Sequence, residues 1–211
     1  MHWFTWWRAY HITQILVKLK IVQTGEPVLR QKARELTVDE VRSAAVRQLV
    51  ELMRATMYDA PGVGLAAPQI GLPLQLAVLE DKPEYHRDIA PEVLAERGRA
   101  AVPFQVVINP RLTLADDTPV QFFEGCLSLS GFSALVPRAP RVRVDCLDHN
   151  GEPVVIEASG WHARILQHEI DHLNGILYID RMLSRSLTTL DNFSRYWKDK
   201  PAARVCEELG L

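Results

Sequence analysis

Gln167-His168-Glu169-Ile170-Asp171-His172-Leu173 is a helix-compatible string in which two imidazoles stand four residues apart. Residues at that spacing lie one above the other on the same helix face, so His168 and His172 can reach one metal ion. Glu169 sits about 100° around the helix from His168, near enough to touch a water on that ion without being a ligand. The competing reading is a surface pair or two satisfied core histidines. With seven His in 211 residues, the His-Glu-x-x-His spacing favours a metal site of the kind used in hydrolysis. Ile165, Leu166, Ile170 and Leu173 cover more than one stripe of the same helix, which predicts central burial over about 160–174 and a stop at Gly175.

Outward from this helix the pattern is one of strands. Val142 and Val144 face Val154 and Ile156 across Asn150-Gly151, a strong hairpin signal. Cys146 continues the alternation of Val142 and Val144, so core packing accounts for it, as it does for Cys206. Further strands are predicted at about 74–79 and 106–109. Thr37-Val38-Asp39-Glu40 has the form of a capping box. Val41, Ala45, Leu49, Leu52 and Met53 follow at helical spacing, which predicts a first helix over about 38–57. The charged, proline-punctuated stretch 81–103 predicts an inserted loop with one short helix. Strands and helices in this order make the fold class α+β.

Two histidines do not complete a hydrolytic site, which takes three protein ligands and leaves one position for water. No His follows His172, so the extended metzincin pattern is absent. Upstream stand Glu124-Gly125-Cys126-Leu127-Ser128 and Gly62-Val63-Gly64-Leu65-Ala66-Ala67-Pro68-Gln69. The latter is no dinucleotide fingerprint, because Ala67 stands where the third glycine would be. In this order and spacing the three strings resemble the signature motifs of peptide deformylase, G-x-G-L-A-A-P-Q, E-G-C-L-S and Q-H-E-x-D-H, without a substitution. The similarity runs from about Ile21 to about Asn192 and is close to the class holding plant and animal organelle enzymes and some bacterial ones.

The resemblance implies antiparallel sheets wrapped around a central buried helix carrying the His-Glu-x-x-His motif. It implies a metal held by Cys126, His168 and His172, and hydrolysis of the N-formyl group from the formyl-methionine of new polypeptides, releasing formate. A thiolate beside two neutral imidazoles makes chemical sense as a tetrahedral site with one exchangeable position. Glu169 then moves the proton, while Gln69 and the Leu127 N–H hold the oxyanion charge. By the same resemblance Gly62, Val63, Gly64, Leu65, Ile165 and His168 contact the methionine side chain, and Glu124 pairs with Arg138 to brace the cysteine loop. Ligand chemistry alone suits Zn²⁺; the resemblance implies Fe²⁺, with Zn²⁺, Ni²⁺ or Co²⁺ as substitutes. An HExxH zinc endopeptidase and a catalytically silent deformylase-like binding protein are the rivals. The intact Glu169 counts against the second.

Composition bounds the rest. A chain of 211 residues, 47% hydrophobic, carries one sizeable core. It divides into an N-terminal extension (1–20), a catalytic domain (21–192) and a C-terminal tail (193–211). Three cysteines, one given to metal, leave no disulfide framework and point to a reducing compartment. A net charge of −2 argues against a direct nucleic-acid site. Arg181, Arg185, Arg195, Lys198, Lys200 and Arg204 are diluted by Asp180, Asp191 and Asp199, a solvated face. Residues 1–20 hold Trp3, Trp6, Trp7 and several basic groups but no acid. Lys18 and Lys20 interrupt the apolar stretch there, so no membrane span is expected. The bacterial cytoplasm is the expected location, with mitochondrion or plastid the alternative if 1–20 is an import signal. Expected partners are N-formyl-methionyl nascent peptides and the ribosome near its exit tunnel.

Overall fold

The computed structural model describes residues 18–116 and 118–211. The readings made on residues 1–17 fall outside them. In chain order the elements are α1 (Val38–Val41), α2 (Ala44–Asp59), β1 (Gly64–Ala66), β2 (Leu76–Asp81), α3 (Pro91–Glu96), β3 (Val102–Leu114), β4 (Val120–Cys126), β5 (Leu129–Arg138), β6 (Arg141–Leu147), β7 (Pro153–Ser159), α4 (Gly160–Leu173), β8 (Thr188–Thr189), α5 (Leu190–Asn192) and α6 (Ala202–Leu209). One antiparallel sheet has the order β1-β2-β3-β6-β7; a second has β4-β5-β8. The fold is α+β, with α4 at its centre.

α4 is buried nearly all round because each of its faces meets a different layer. Ala163, Leu166 and Ile170 pack with Val107, Val142, Val144 and Ala158 of the larger sheet. Leu173 packs with Ala66 and Ala77. Removing a fully buried leucine such as Leu166 from water contributes ~2 kcal/mol. Towards the smaller sheet the contacts are polar. Arg164 donates to the Val136 and Val120 carbonyls, and Gln167 exchanges two bonds with the Ala139 backbone. The helix ends as a Schellman motif: Ile176 N donates to Asp171 O, Gly175 N donates to His172 O, and Gly175 takes φ +74°.

Four local expectations change. The first helix breaks at Arg42-Ser43, because Ser43 accepts a bond from Val46 N and caps a second helix. The buried side of α2 is Val50, Met53 and Met57, with Ala45 exposed. The strand expected over 74–79 is shifted to Leu76–Asp81. The strand expected over 106–109 extends through Asn109-Pro110, because Asn109 adopts φ +50° at a register shift and exchanges two bonds with the Leu36 backbone. Across the hairpin Val144 faces Ile156, but Val142 pairs with Ala158 and Val154 with Cys146. The connection is the five-residue loop 148–152, tied by Asp148 N to Glu152 O, so Asn150-Gly151 is only part of the turn. The insertion 81–103 carries a 3-10 turn (Pro83–His86) beside its short helix. Residues 193–211 hold a π-helical turn and α6, and Val205 is buried against Phe123 and Leu135.

Candidate active site

Three separate stretches converge on one cavity: the approach to β1, the β4–β5 turn, and one face of α4. Gly62, Val63 and Gly64 form one wall, Gly125, Cys126 and Leu127 another, and Ile165, His168 and Glu169 of α4 the floor. Leu65 is not among the lining residues. It is fully buried in the core with Met53, Met57, Leu76 and Val78, because alternate residues of β1 face opposite sides.

Cys126 stands at the end of β4, and α4 turns both histidines towards it. The ligand atoms of Cys126, His168 and His172 lie within 4.8 Å of one another, and Cys126 Sγ is 3.2 Å from His172 Nε2. A sulfur and two imidazole nitrogens form a soft, compact donor set that fits a divalent transition metal. Burial, and then the neighbouring His168, hold the His172 pKa well below its ordinary value.

His168 owes its orientation to Glu124, whose carboxylate is a buried hub. His168 Nδ1 lies 2.9 Å from Glu124 Oε2, which turns the opposite ring nitrogen towards Cys126. Arg138 donates to both Glu124 oxygens at 3.0 Å, and Arg164 Nη1 donates to Oε1 at 2.7 Å. Burial alone would raise the Glu124 pKa, but the His168 bond and the Arg138 charge hold it well below the usual carboxylate range. Arg138 also pairs with Asp171, which Arg181 holds from the other side.

Glu169 belongs to no such network. It is 4% exposed, and its Oε2 is buried without a partner among the described residues. Burial pushes its carboxyl up to about 7. Gln69, 1% exposed, has a fixed amide: its Oε1 accepts from Ala66 N at 2.8 Å, which leaves Nε2 3.6 Å from Cys126 Sγ and 3.3 Å from Ser128 Oγ. Leu127 follows the cysteine in the turn.

Sequence reading missed other residues of the cavity wall: Arg99, Phe132, Trp161, Arg164 and Leu190. Trp161 and Arg164 precede His168 by seven and four residues, so helical periodicity alone could have found them. Arg99 is placed by a two-pronged bond to the fully buried Asp81. Phe132 and Leu190 meet there only because β5 pairs with β8. No local pattern marks them.

The polypeptide deformylase family model matches residues 18–187. The chain belongs to this family. It is 44% identical to the chloroplastic peptide deformylase 1A of Solanum lycopersicum, over 90% of this chain and 67% of that protein. It is 41% identical to the mitochondrial peptide deformylase of Homo sapiens, over 84% of this chain and 71% of that one. A peptide deformylase structure from Acinetobacter baumannii with Met-Ala-Ser bound superposes with a TM-score of 0.71 at 33% identity, covering 80% of this chain and all of that one. The family comprises metal-dependent amide hydrolases that remove N-formyl groups from nascent polypeptides. Relatives include bacterial proteins and ones named for chloroplast and mitochondrion. Among the described residues no helix is long and apolar enough to cross a membrane.

Proposed function

We propose that the cavity beside α4 is where this chain carries out the family's reaction, with Cys126, His168 and His172 as metal ligands and Glu169 as the proton carrier. The observation that carries the reading is a compact sulfur–imidazole cluster whose Cys126 and His168 line the same cavity as Glu169, a buried carboxylate unpartnered among the described residues. A divalent ion in the cluster would polarise the formyl oxygen and lower the pKa of water so that hydroxide is available near neutrality. Glu169 takes the water's proton and returns it to the methionine nitrogen as the C–N bond breaks, releasing formate and a free amine. Gln69 Nε2 and the Leu127 N–H donate to the formyl oxygen as it gains charge. Glu124, backed by Arg138, fixes the tautomer and orientation of His168. Gly62, Val63, Gly64 and Ile165 line the space assigned to the methionine side chain.

The working ion in this reading is Fe²⁺, with Zn²⁺, Ni²⁺ or Co²⁺ as substitutes. The substrates are formyl-methionyl nascent chains met near the ribosomal exit tunnel. The location is the bacterial cytoplasm; a reporter fused to residues 1–20 that moves to mitochondrion or plastid would replace it. The test is formate release from formyl-Met-Ala-Ser by protein purified without oxygen and analysed for metal. Cleavage of internally blocked peptides instead would make the chain an endopeptidase. Binding without formate release would make it a silent relative. Iron-loaded protein should be the most active and decay in air, since oxygen attacks both Fe²⁺ and the ligating thiolate. An iron form no better than the zinc form would reject the ferrous assignment alone.

A further inference from the structure

The turn that follows Cys126 is built against its own preference. Cys126 pairs with Leu129, so Leu127-Ser128 is a two-residue connection between β4 and β5. Such connections favour turns with positive φ, and hence Asn or Gly, because those match the twist of the strands. Among the described non-glycine residues only Asn109 has positive φ, so the Leu127-Ser128 turn lacks that match. A register shift at Glu124/Cys126 loosens the ladder just before it.

Within the turn only two long bonds help, Ser130 Oγ to Leu127 O and Ser128 N to Cys126 Sγ, both at 3.4 Å, and the shorter bonds to its backbone come from more than a hundred residues away. Gln23 brackets it, with Nε2 donating to Leu127 O at 2.9 Å and Oε1 accepting from Ser130 N at 3.3 Å. Thr24 donates twice to Ser128 O, from N at 2.7 Å and from Oγ1 at 2.8 Å. The adjoining Val22 N donates to Gln69 O at 2.8 Å. One three-residue segment therefore touches both stretches that carry the oxyanion donors. We infer that Gln23 and Thr24 are positioning residues, which set the Leu127 N–H against the Gln69 amide without touching substrate. This rests on the oxyanion roles given above to Gln69 and Leu127.

Both side chains are exposed, so their removal leaves the core intact. In Gln23→Ala/Thr24→Val three side-chain bonds are lost. The expected result is a fall of about tenfold in kcat for formyl-Met-Ala-Ser, the size expected for a few weak bonds that hold a donor in place. KM stays within twofold, and metal content and urea midpoint stay near wild type. Thr24→Ser, which keeps the hydroxyl, restores most of the Thr24 share. A purely structural role would instead move midpoint, metal content and KM with kcat. An unchanged kcat, or a loss that follows metal content, overturns the inference. Gln69→Leu separates the two levels. If it is fully active, the oxyanion reading itself fails; if it is impaired while Gln23→Ala/Thr24→Val is not, only the inference about residues 23 and 24 fails. Should the double variant not fold, Gln23→Ala alone is read by the same criteria.

Discussion

Gly64→Ala separates the position of the Glu169 carboxylate from its chemistry. Gly64 lies in β1 with an ordinary strand conformation, not at positive φ, so its backbone accepts alanine. The obstacle is space. A methyl group there would stand 2.6 Å from Glu169 Cδ and 2.9 Å from Cγ, and inside contact distance of Oε1. Ordinary contact is about 3.5 Å, so the carboxylate must retreat by about 1 Å from its observed place. A misplacement of that size costs about 100-fold in rate, equivalent to ~2.7 kcal/mol of activation free energy. Overpacking costs ~1–3 kcal/mol of stability, offset by ~0.4–1 kcal/mol from the stiffer unfolded chain, so the protein should still fold. The assay is kcat for formate release beside metal content and a urea melt. The expected signature is kcat down about 100-fold with metal retained. A Gly64→Ala protein with kcat within twofold of wild type would refute the claim that Glu169 must occupy its observed place.

In the proposed mechanism Glu169→Ala removes the proton carrier and no ligand, so metal content by elemental analysis should hold while kcat falls by about 10²–10⁴; loss of the metal would make Glu169 a ligand. Gly175→Ala forces a side chain into φ +74° with its Cβ 2.8 Å from the Arg30 backbone, and a urea melt should show a loss of about 2–4 kcal/mol. Arg138→Met leaves Glu124 and Asp171 short of a buried partner, and calorimetry should register about 3–5 kcal/mol of destabilisation. The Glu40 carboxyl is held at about 2, below its ordinary 4.5, first by the Arg34 bond and then by the Thr37 cap. A depressed carboxyl stabilises above its unfolded pKa and loses that contribution as pH falls. The gap in urea midpoint between wild type and Glu40→Gln should therefore close between about pH 4.5 and 2.

The parts of the fold that were legible were those where local chemistry and tertiary demand agree. The apolar girdle and terminal glycine of α4 gave its place and its end to within a residue, and Thr37 gave the capping box. Reading failed where a side chain reached across the fold. Ser43 interrupts a helix that spacing alone joins, and Asn109 lets β3 run through what looks like a strand end because it can bind Leu36. At the site, the helix motif shows two of the clustered donors, and resemblance was needed to add Cys126. The burial of Leu65, the hold of Gln23 on the turn, and the meeting of Phe132 with Leu190 depend on pairings between distant segments. No window of sequence contains them.

The carboxylate of Glu124 accepts from Arg138, Arg164 and His168, which lie on β5 and on two turns of α4. Among the described residues, losing Glu124 leaves the buried Arg164 without a carboxylate, and losing any of the other three takes a hydrogen bond from a buried carboxylate, so their substitutions must be strongly non-additive. For sequence exchange between relatives this defines an indivisible block. A chimera whose junction falls between residues 124 and 168 inherits the hub intact only if both parents carry the same four residues. Junctions before β4 or after α4 leave it whole, and recombined libraries should show surviving crossovers concentrated there.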